Sequence, residues 1–348
     1  MSNPLKVVDI SSSSDDTVKT LLEAANSQGF LFVEGHDFSN EEVQAAFELS
    51  KRFFTETSIE EKMKYPIKNN VGYTGFEDEQ LDPRKALDFK EAYNFGFINF
   101  ETGELNQSKA KFYGQSEKSD ANEHPIPPVF KDDEAFISKI SQKLHATAIR
   151  ILALIAEALL VEDPNFFSSR HRGNKPSGSV FRMLRYPLMR EDTLNIASMS
   201  SIDPTIRAGA HTDYGSITLL FQQKGQQGLE LQIGDKSQND GWVTVPFVDS
   251  TNPQKAPPLI VNFGDLLSYW TNGVLKSTVH RVRFAPGETR NSDRYSIVFF
   301  VQPEDDTLLT PVPSEIVKKA SLGGDPPAIT ALEHLQERLR ATYQSEVK

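Results

Sequence analysis

The sequence predicts a mainly β fold with flanking helices, and three observations carry that reading. Residues from about 178 to 303 break into short runs rich in β-branched and aromatic side chains, separated by turn residues. One long amphipathic stretch, roughly Asp132 to Leu160, precedes them, and a mixed segment of short helices and strands opens the chain. Strands at such regular spacing build a sandwich, a barrel or a jelly roll.

Taken in order, the first portion covers residues 1–120. It predicts a strand at Val7 to Ile10, a helix at Thr17 to Ser27, and a buried strand at Phe30 to Val33 bounded by Gly29 and Gly35. Asn40 reads as the N-cap of a helix from Glu41 to Phe54. Residues 66 to 128 are rich in Gly, Asn, Asp and Pro and read as loops carrying short elements. The second portion, 121–177, holds the long backing helix and its connection. Phe136, Ile140, Leu144, Ile151, Ile155 and Leu159 recur at helical spacing and form a stripe wide enough to face a core. The third portion, 178–303, predicts strands at Ser179 to Tyr186, Ser216 to Gln222, Leu229 to Ile233, Trp242 to Pro246, Leu259 to Asn262 and Tyr295 to Val301. Asn262 and Asp265 suggest a tight turn between strands, and Trp270 with Asn272-Gly273 a hairpin. The fourth portion, 304–348, is a proline-marked tail ending in a charged helix from Ala328.

Composition narrows the function classes. The chain has 348 residues, 24% of them charged, and a net charge of −11, which argues against a nucleic-acid partner. With no cysteine there is no thiolate nucleophile, no zinc–thiolate site and no disulfide framework, and a reducing compartment is expected. The opening residues lack the apolar core of a secretory signal, and the apolar run Ile149 to Val161 is interrupted by Arg150 and Glu157, so no membrane partner is expected. These traits together predict a cytoplasmic protein acting on a small-molecule substrate.

The chemically informative segment is Gly209-Ala210-His211-Thr212-Asp213-Tyr214-Gly215. On an extended strand, residues i and i+2 share a face, so His211 and Asp213 can converge. A second histidine, His280 in Thr278-Val279-His280-Arg281-Val282, would complete a two-histidine, one-carboxylate set. Such a set suits iron(II) and leaves coordination positions open. A lone His-x-Asp is more often an ordinary hydrogen-bonded pair, so the surrounding residues decide the matter.

Those residues follow a known order: Gln28-Gly29-Phe30-Leu31-Phe32, Phe53-Phe54, Gly72-Tyr73, Asp88-Phe89-Lys90-Glu91, Leu184-Arg185-Tyr186-Pro187, the His-x-Asp segment, Asn262-Phe263-Gly264-Asp265, His280-Arg281-Val282 and Arg294-Tyr295-Ser296. The chain thereby resembles the 2-oxoglutarate- and Fe(II)-dependent dioxygenases of the isopenicillin N synthase-like branch, from about Val8 to about Pro303. The resemblance implies a double-stranded β-helix (jelly roll) with iron at its open end, held by His211, Asp213 and His280. It implies that Arg294 and Ser296 grip the distal carboxylate of 2-oxoglutarate with support from Tyr186, and that O₂ is the second co-substrate. Arg185 stands next in line as the carboxylate anchor. Many relatives carry an asparagine where this chain has Leu184, and the segment Phe284 to Asp293 is longer than usual.

The implied reaction couples decarboxylation of 2-oxoglutarate to succinate with oxidation, most often hydroxylation, of a small metabolite. Two alternatives stay open at this point: an iron oxidase of the same fold that does not use 2-oxoglutarate, and a non-catalytic binding module. His36 reads as structural. His124, His145, His171 and His334 read as solvated or helix-packed, and Phe181, Phe221, Phe299 and Phe300 as core residues that could also line a cavity.

Overall fold

The computed structural model describes residues 3–76, 78–79, 81–82, 88–115, 123–188, 205–284, 293–321, 324 and 326–343. The first portion runs β1 (Val7–Asp9), α1 (Asp15–Ser27), β2 (Phe30–Glu34), α2 (Asn40–Glu56), α3 (Ile59–Lys62), β3 (Gly72–Thr74) and β4 (Glu91–Phe95). Three helices follow: α4 (Lys109–Phe112), α5 (Pro128–Lys131) and the long α6 (Glu134–Ala158). The strand-rich part comprises β5 (Val180–Tyr186), β6 (Ile206–His211), β7 (Ile217–Phe221), β8 (Leu229–Gln232), β9 (Trp242–Thr244), β10 (Leu259–Phe263), α7 (Asp265–Trp270), β11 (His280–Arg283) and β12 (Arg294–Val301). Two helices close the chain, α8 (Glu315–Ala320) and α9 (Ala331–Tyr343).

These strands form two facing sheets, the jelly-roll arrangement. The larger runs β1-β2-β10-β7-β12-β5-β4-β3 and the smaller β6-β11-β8-β9. All pairings are antiparallel except β1 with β2. Alternation along the strands gives the large sheet two apolar faces. Its outer face takes Phe181, Ile217, Leu219, Phe221, Ile297 and Phe299 into one core with α1, α2 and α6. From α6, Ile140, Leu144, Ile151 and Ile155 are fully covered, each contributing about 1.5–3 kcal/mol by burial. Among the described residues no helix is long and apolar enough to cross a membrane.

Several expectations shift in detail. The second long helix begins at Asn40, and its N-cap is Ser39: the Ser39 hydroxyl accepts from Glu42 N at 3.1 Å, while Glu42 accepts from Ser39 N at 3.0 Å. Helix α1 starts at Asp15 because Ser14 caps it. Asn262 lies inside β10 rather than in a turn, and Trp270 belongs to helix α7. Asn272 and Gly273 are left-handed residues (φ 50° and 76°) that close this helix, with Gly273 N donating to Ser268 O at 2.8 Å, so there is no hairpin there. Residues 285–292 of the lengthened segment lie outside the described residues.

The segment 66–128 hides a fully buried strand. β4 carries Glu91 and Asn94 into the interior, and its charge is answered locally. Glu91 accepts from Lys62 Nζ at 2.9 Å, the Tyr73 hydroxyl at 2.7 Å and Arg185 Nη1 at 2.7 Å. This cluster ties β3, β4 and β5 to the end of α3. Replacing Glu91 by Ala leaves the buried Lys62 without its counter-charge, while Arg185 keeps Asp293 at 2.6 Å, so the unfolding free energy read from urea denaturation should fall by about 3–5 kcal/mol.

Candidate active site

The site is built where the two sheets approach each other. His211 is the last residue of β6, and His280, the first of β11, pairs with it directly across the small sheet. Their rings lie 4.3 Å apart. Asp213 sits two residues beyond the end of β6, so the pair converges through the turn out of the strand and not along a continuous strand face. His211 Nε2 and His280 Nε2 lie 3.8 Å and 3.7 Å from Asp213 Oδ1. One donor atom from each residue falls within 4.8 Å of the others, which is close enough to hold one metal ion.

Hydrogen bonds aim all three groups. His211 Nδ1 lies 2.8 Å from Gly209 O and His280 Nδ1 lies 3.1 Å from Thr278 O. A carbonyl only accepts, so both Nδ1 atoms carry a proton and both Nε2 atoms turn inward. The Gly209 peptide is itself held, its N–H donating to Asp88 Oδ1 at 2.9 Å. A Cβ at Gly209 would lie 2.9 Å from the backbone nitrogen of Asp82, which explains the glycine. On Asp213, Oδ2 accepts from the Thr218 hydroxyl at 2.6 Å and from Asn262 Nδ2 at 2.8 Å, leaving Oδ1 toward the imidazoles.

Burial, then the neighbouring His280, pushes His211 down to about 4, so its imidazole is neutral at pH 7. Burial alone would raise Asp213, but His280, His211 and the bonds from Thr218 and Asn262 bring its carboxyl below the usual range. Two imidazoles and one carboxylate form a donor set that fits iron(II).

A second polar centre lies in the same cavity of about 160 Å³. Arg294 is 1% exposed. It donates from Nη1 to the Ser296 hydroxyl at 2.7 Å and from Nε to Gln226 O at 2.9 Å, and its guanidinium stacks 4.9 Å over the Tyr186 ring. Register explains the grouping, because β12 sets Arg294 opposite Tyr186 and Ser296 opposite Leu184 on β5. Arg185 points to the other face, bonded to Glu91 and Asp293, so it cannot replace Arg294 as an anchor. Leu184 lines the cavity and offers no donor.

The rest of the cavity is less legible in the sequence. Val180, Phe300, Leu335 and Leu339 form an apolar wall, the last two from α9. Beside Val180 on the same face of β5, Arg182 joins the buried Glu79, Lys90 and Asn94 in a polar stretch of the lining. Glu79 would rise on burial, but Arg182 at 2.7 Å and Lys90 at 3.1 Å bring it down to about 2. Phe181, Phe221 and Phe299 pack in the outer core and do not reach the cavity. The remaining histidines are not solvated: His124, His171 and His334 are buried. His145 Nε2 meets His171 O at 2.9 Å, and His171 links Phe167 O to the Ser216 hydroxyl behind the Asp213 turn. His36 is structural, meeting Pro257 O at 3.1 Å.

A jelly roll with a His-Asp-His cluster at the meeting of its sheets defines a class, the 2-oxoglutarate- and iron(II)-dependent oxygenases. Residues 177–303 match the 2OG-Fe(II) oxygenase superfamily, and residues 5–115 match the N-terminal region of the non-haem dioxygenases of morphine synthesis. A UPF0676 protein of Schizosaccharomyces pombe is 31% identical, covering 97% of this chain and 93% of its own. A homoarginine-6-hydroxylase of Glycine max is 29% identical over 85% of this chain and 80% of its own. A full-length Neurospora crassa protein, solved in complex with alpha-KG, superposes with a TM-score of 0.71 at 24% identity, covering 96% of this chain and 95% of that one. The chain belongs to this superfamily: it is an oxygenase that uses iron(II), 2-oxoglutarate and O₂.

Asn262 and Thr218 hold the carboxylate rather than the metal. Asn262→Ala should therefore weaken metal binding roughly 10- to 100-fold without abolishing it, as read by titration with Mn(II) or anaerobic Fe(II).

Proposed function

We propose that His211, Asp213 and His280 hold one iron(II), and that Arg294, Ser296 and Tyr186 receive the distal carboxylate of 2-oxoglutarate. The carrying observation is that both centres open into one cavity, lined by His211, Asp213 and His280 and by the buried guanidinium of Arg294. Bound iron(II) supplies O₂ activation coupled to decarboxylation of 2-oxoglutarate to succinate and CO₂, one oxygen atom being left for the substrate.

The protein's own work is positional. The planar fork of Arg294 matches a carboxylate bidentately, and the Ser296 hydroxyl adds a donor to the same group. Backbone carbonyls 209 and 278 fix both imidazole tautomers before any ligand arrives. Val180, Phe300, Leu335 and Leu339 give the cavity an apolar stretch of wall, and Arg182 and Asn94 offer polar contacts beside it. The cavity accommodates a small molecule, and we infer that the usual outcome is hydroxylation, the reaction named for the Glycine max relative. The ordered motifs support a reading within the isopenicillin N synthase-like branch, and the lack of cysteine suits a cytoplasmic setting.

Losing the guanidinium should weaken 2-oxoglutarate far more than the oxidised substrate. Truncation leaves a carboxylate buried with too few donors, a penalty of about 3–5 kcal/mol. Arg294→Ala should thus raise the KM for 2-oxoglutarate by roughly two to three and a half orders of magnitude. Arg294→Lys should recover only part, because an ammonium lacks the planar fork. An unchanged KM in Arg294→Ala would move the anchor elsewhere.

A further inference from the structure

Gln222 is buried without reward. Its side chain is 8% exposed, and neither the nitrogen nor the oxygen of its carboxamide has a hydrogen-bond partner. Native proteins rarely leave an amide bare inside, because its desolvation is then uncompensated.

Its place in the fold shows what it could meet. Along β7, Ile217, Leu219 and Phe221 join the outer core, whereas Thr218 and Leu220 line the cavity. Gln222 is the residue after β7 and is not itself among those lining the cavity; continuing the alternation sets it in phase with Thr218 and Leu220, on the same face of the sheet. The register pairs Phe221 with Ile297, and one step further sets Gln222 beside Ser296. On its other flank Ser296 is paired with Leu184. The hydroxyl next to Arg294 therefore has an aliphatic neighbour on β5 and a bare carboxamide on β7. The chain after Gln222 also turns back onto β12, where Gln226 O accepts from Arg294 Nε and Gln226 Oε1 accepts from Tyr295 N at 2.7 Å.

We propose that Gln222 is a further binding residue for the distal carboxylate of 2-oxoglutarate, reaching it from the β7 side of Ser296. A carboxylate offers about four lone-pair sites, more than one guanidinium and one hydroxyl fill. The Gln222 Nε2–H supplies an additional charge-assisted hydrogen bond, and that bond ends the amide's isolation. This assignment rests on the reading that Arg294 and Ser296 hold 2-oxoglutarate.

Anaerobic calorimetric titration of 2-oxoglutarate into the iron(II)-loaded full chain tests it. Gln222→Leu should raise the Kd for 2-oxoglutarate roughly tenfold or more, with the Kd for iron(II) unchanged. Without 2-oxoglutarate the variant should be no less stable than wild type, since it buries no bare amide. Gln222→Asn keeps the amide but shortens its reach, and should weaken 2-oxoglutarate in the same direction. That variant also carries the comparison if Gln222→Leu does not fold. Adding Leu184→Asn to either variant places a donor on the opposite flank of Ser296 and should recover part of the loss. A Kd within twofold of wild type in Gln222→Leu or Gln222→Asn overturns the proposal and leaves the Arg294 reading intact. A wild-type protein that binds iron(II) but not 2-oxoglutarate overturns both.

Discussion

Two imidazoles and one carboxylate must be presented together, uncharged and charged respectively, inside a cavity that would rather hold neither a bare carboxylate nor bare lone pairs. Much of the surrounding structure answers that demand. The pairing of β6 with β11 brings the two histidines side by side. The backbone carbonyls of Gly209 and Thr278 fix the proton on the outer nitrogen of each ring, and Thr218 and Asn262 on the large sheet hold one oxygen of Asp213. The small sheet thus supplies the imidazoles, and the large sheet steadies the carboxylate. A metal site results only if the sheets close on each other.

That closure is secured by further buried polar groups. Asp88 receives the Gly209 N–H, and Lys90, Glu79 and Arg182 form ion pairs alongside. On the far side, Arg338 of α9 pairs with Asp265, and Thr212, which lies between His211 and Asp213, donates to the same carboxylate at 2.9 Å. The C-terminal helix is therefore fastened to the turn that carries the site, which is how Leu335 and Leu339 come to wall the cavity. Breaking one partner of such a cluster leaves an unpaired charge in a poor solvent, so the effect of a mutation here will exceed the energy of any single bond.

The parts of this design written in local sequence are readable. Period-two runs mark most strands to within a residue or two, the helical stripe marks α6, and His211, Asp213, His280, Arg294 and Ser296 stand in short motifs. What escapes depends on distant partners. β4 looks like loop because it carries Glu91 and Asn94, yet both are buried, and Glu91 is neutralised by Lys62 and Arg185 from other elements. Asn262 reads as a turn residue on its usual preference, but tertiary contact with Asp213 overrides it. The buried histidines read only as solvated or helix-packed because part of what covers them lies far along the chain, Ser216 and Trp270 for His171 and Phe97 for His124.

The central claim is that one metal at His211, Asp213 and His280 drives the decarboxylation of 2-oxoglutarate. Release of CO₂ from 2-oxoglutarate labelled at its first carbon, measured with and without O₂ and iron(II), tests it most directly. Wild type should release CO₂ only when both are present, with one succinate per CO₂, and Asp213→Ala should release none while remaining folded. Release that persists at the wild-type rate in Asp213→Ala, or none from the iron(II)-loaded wild type, would contradict the account.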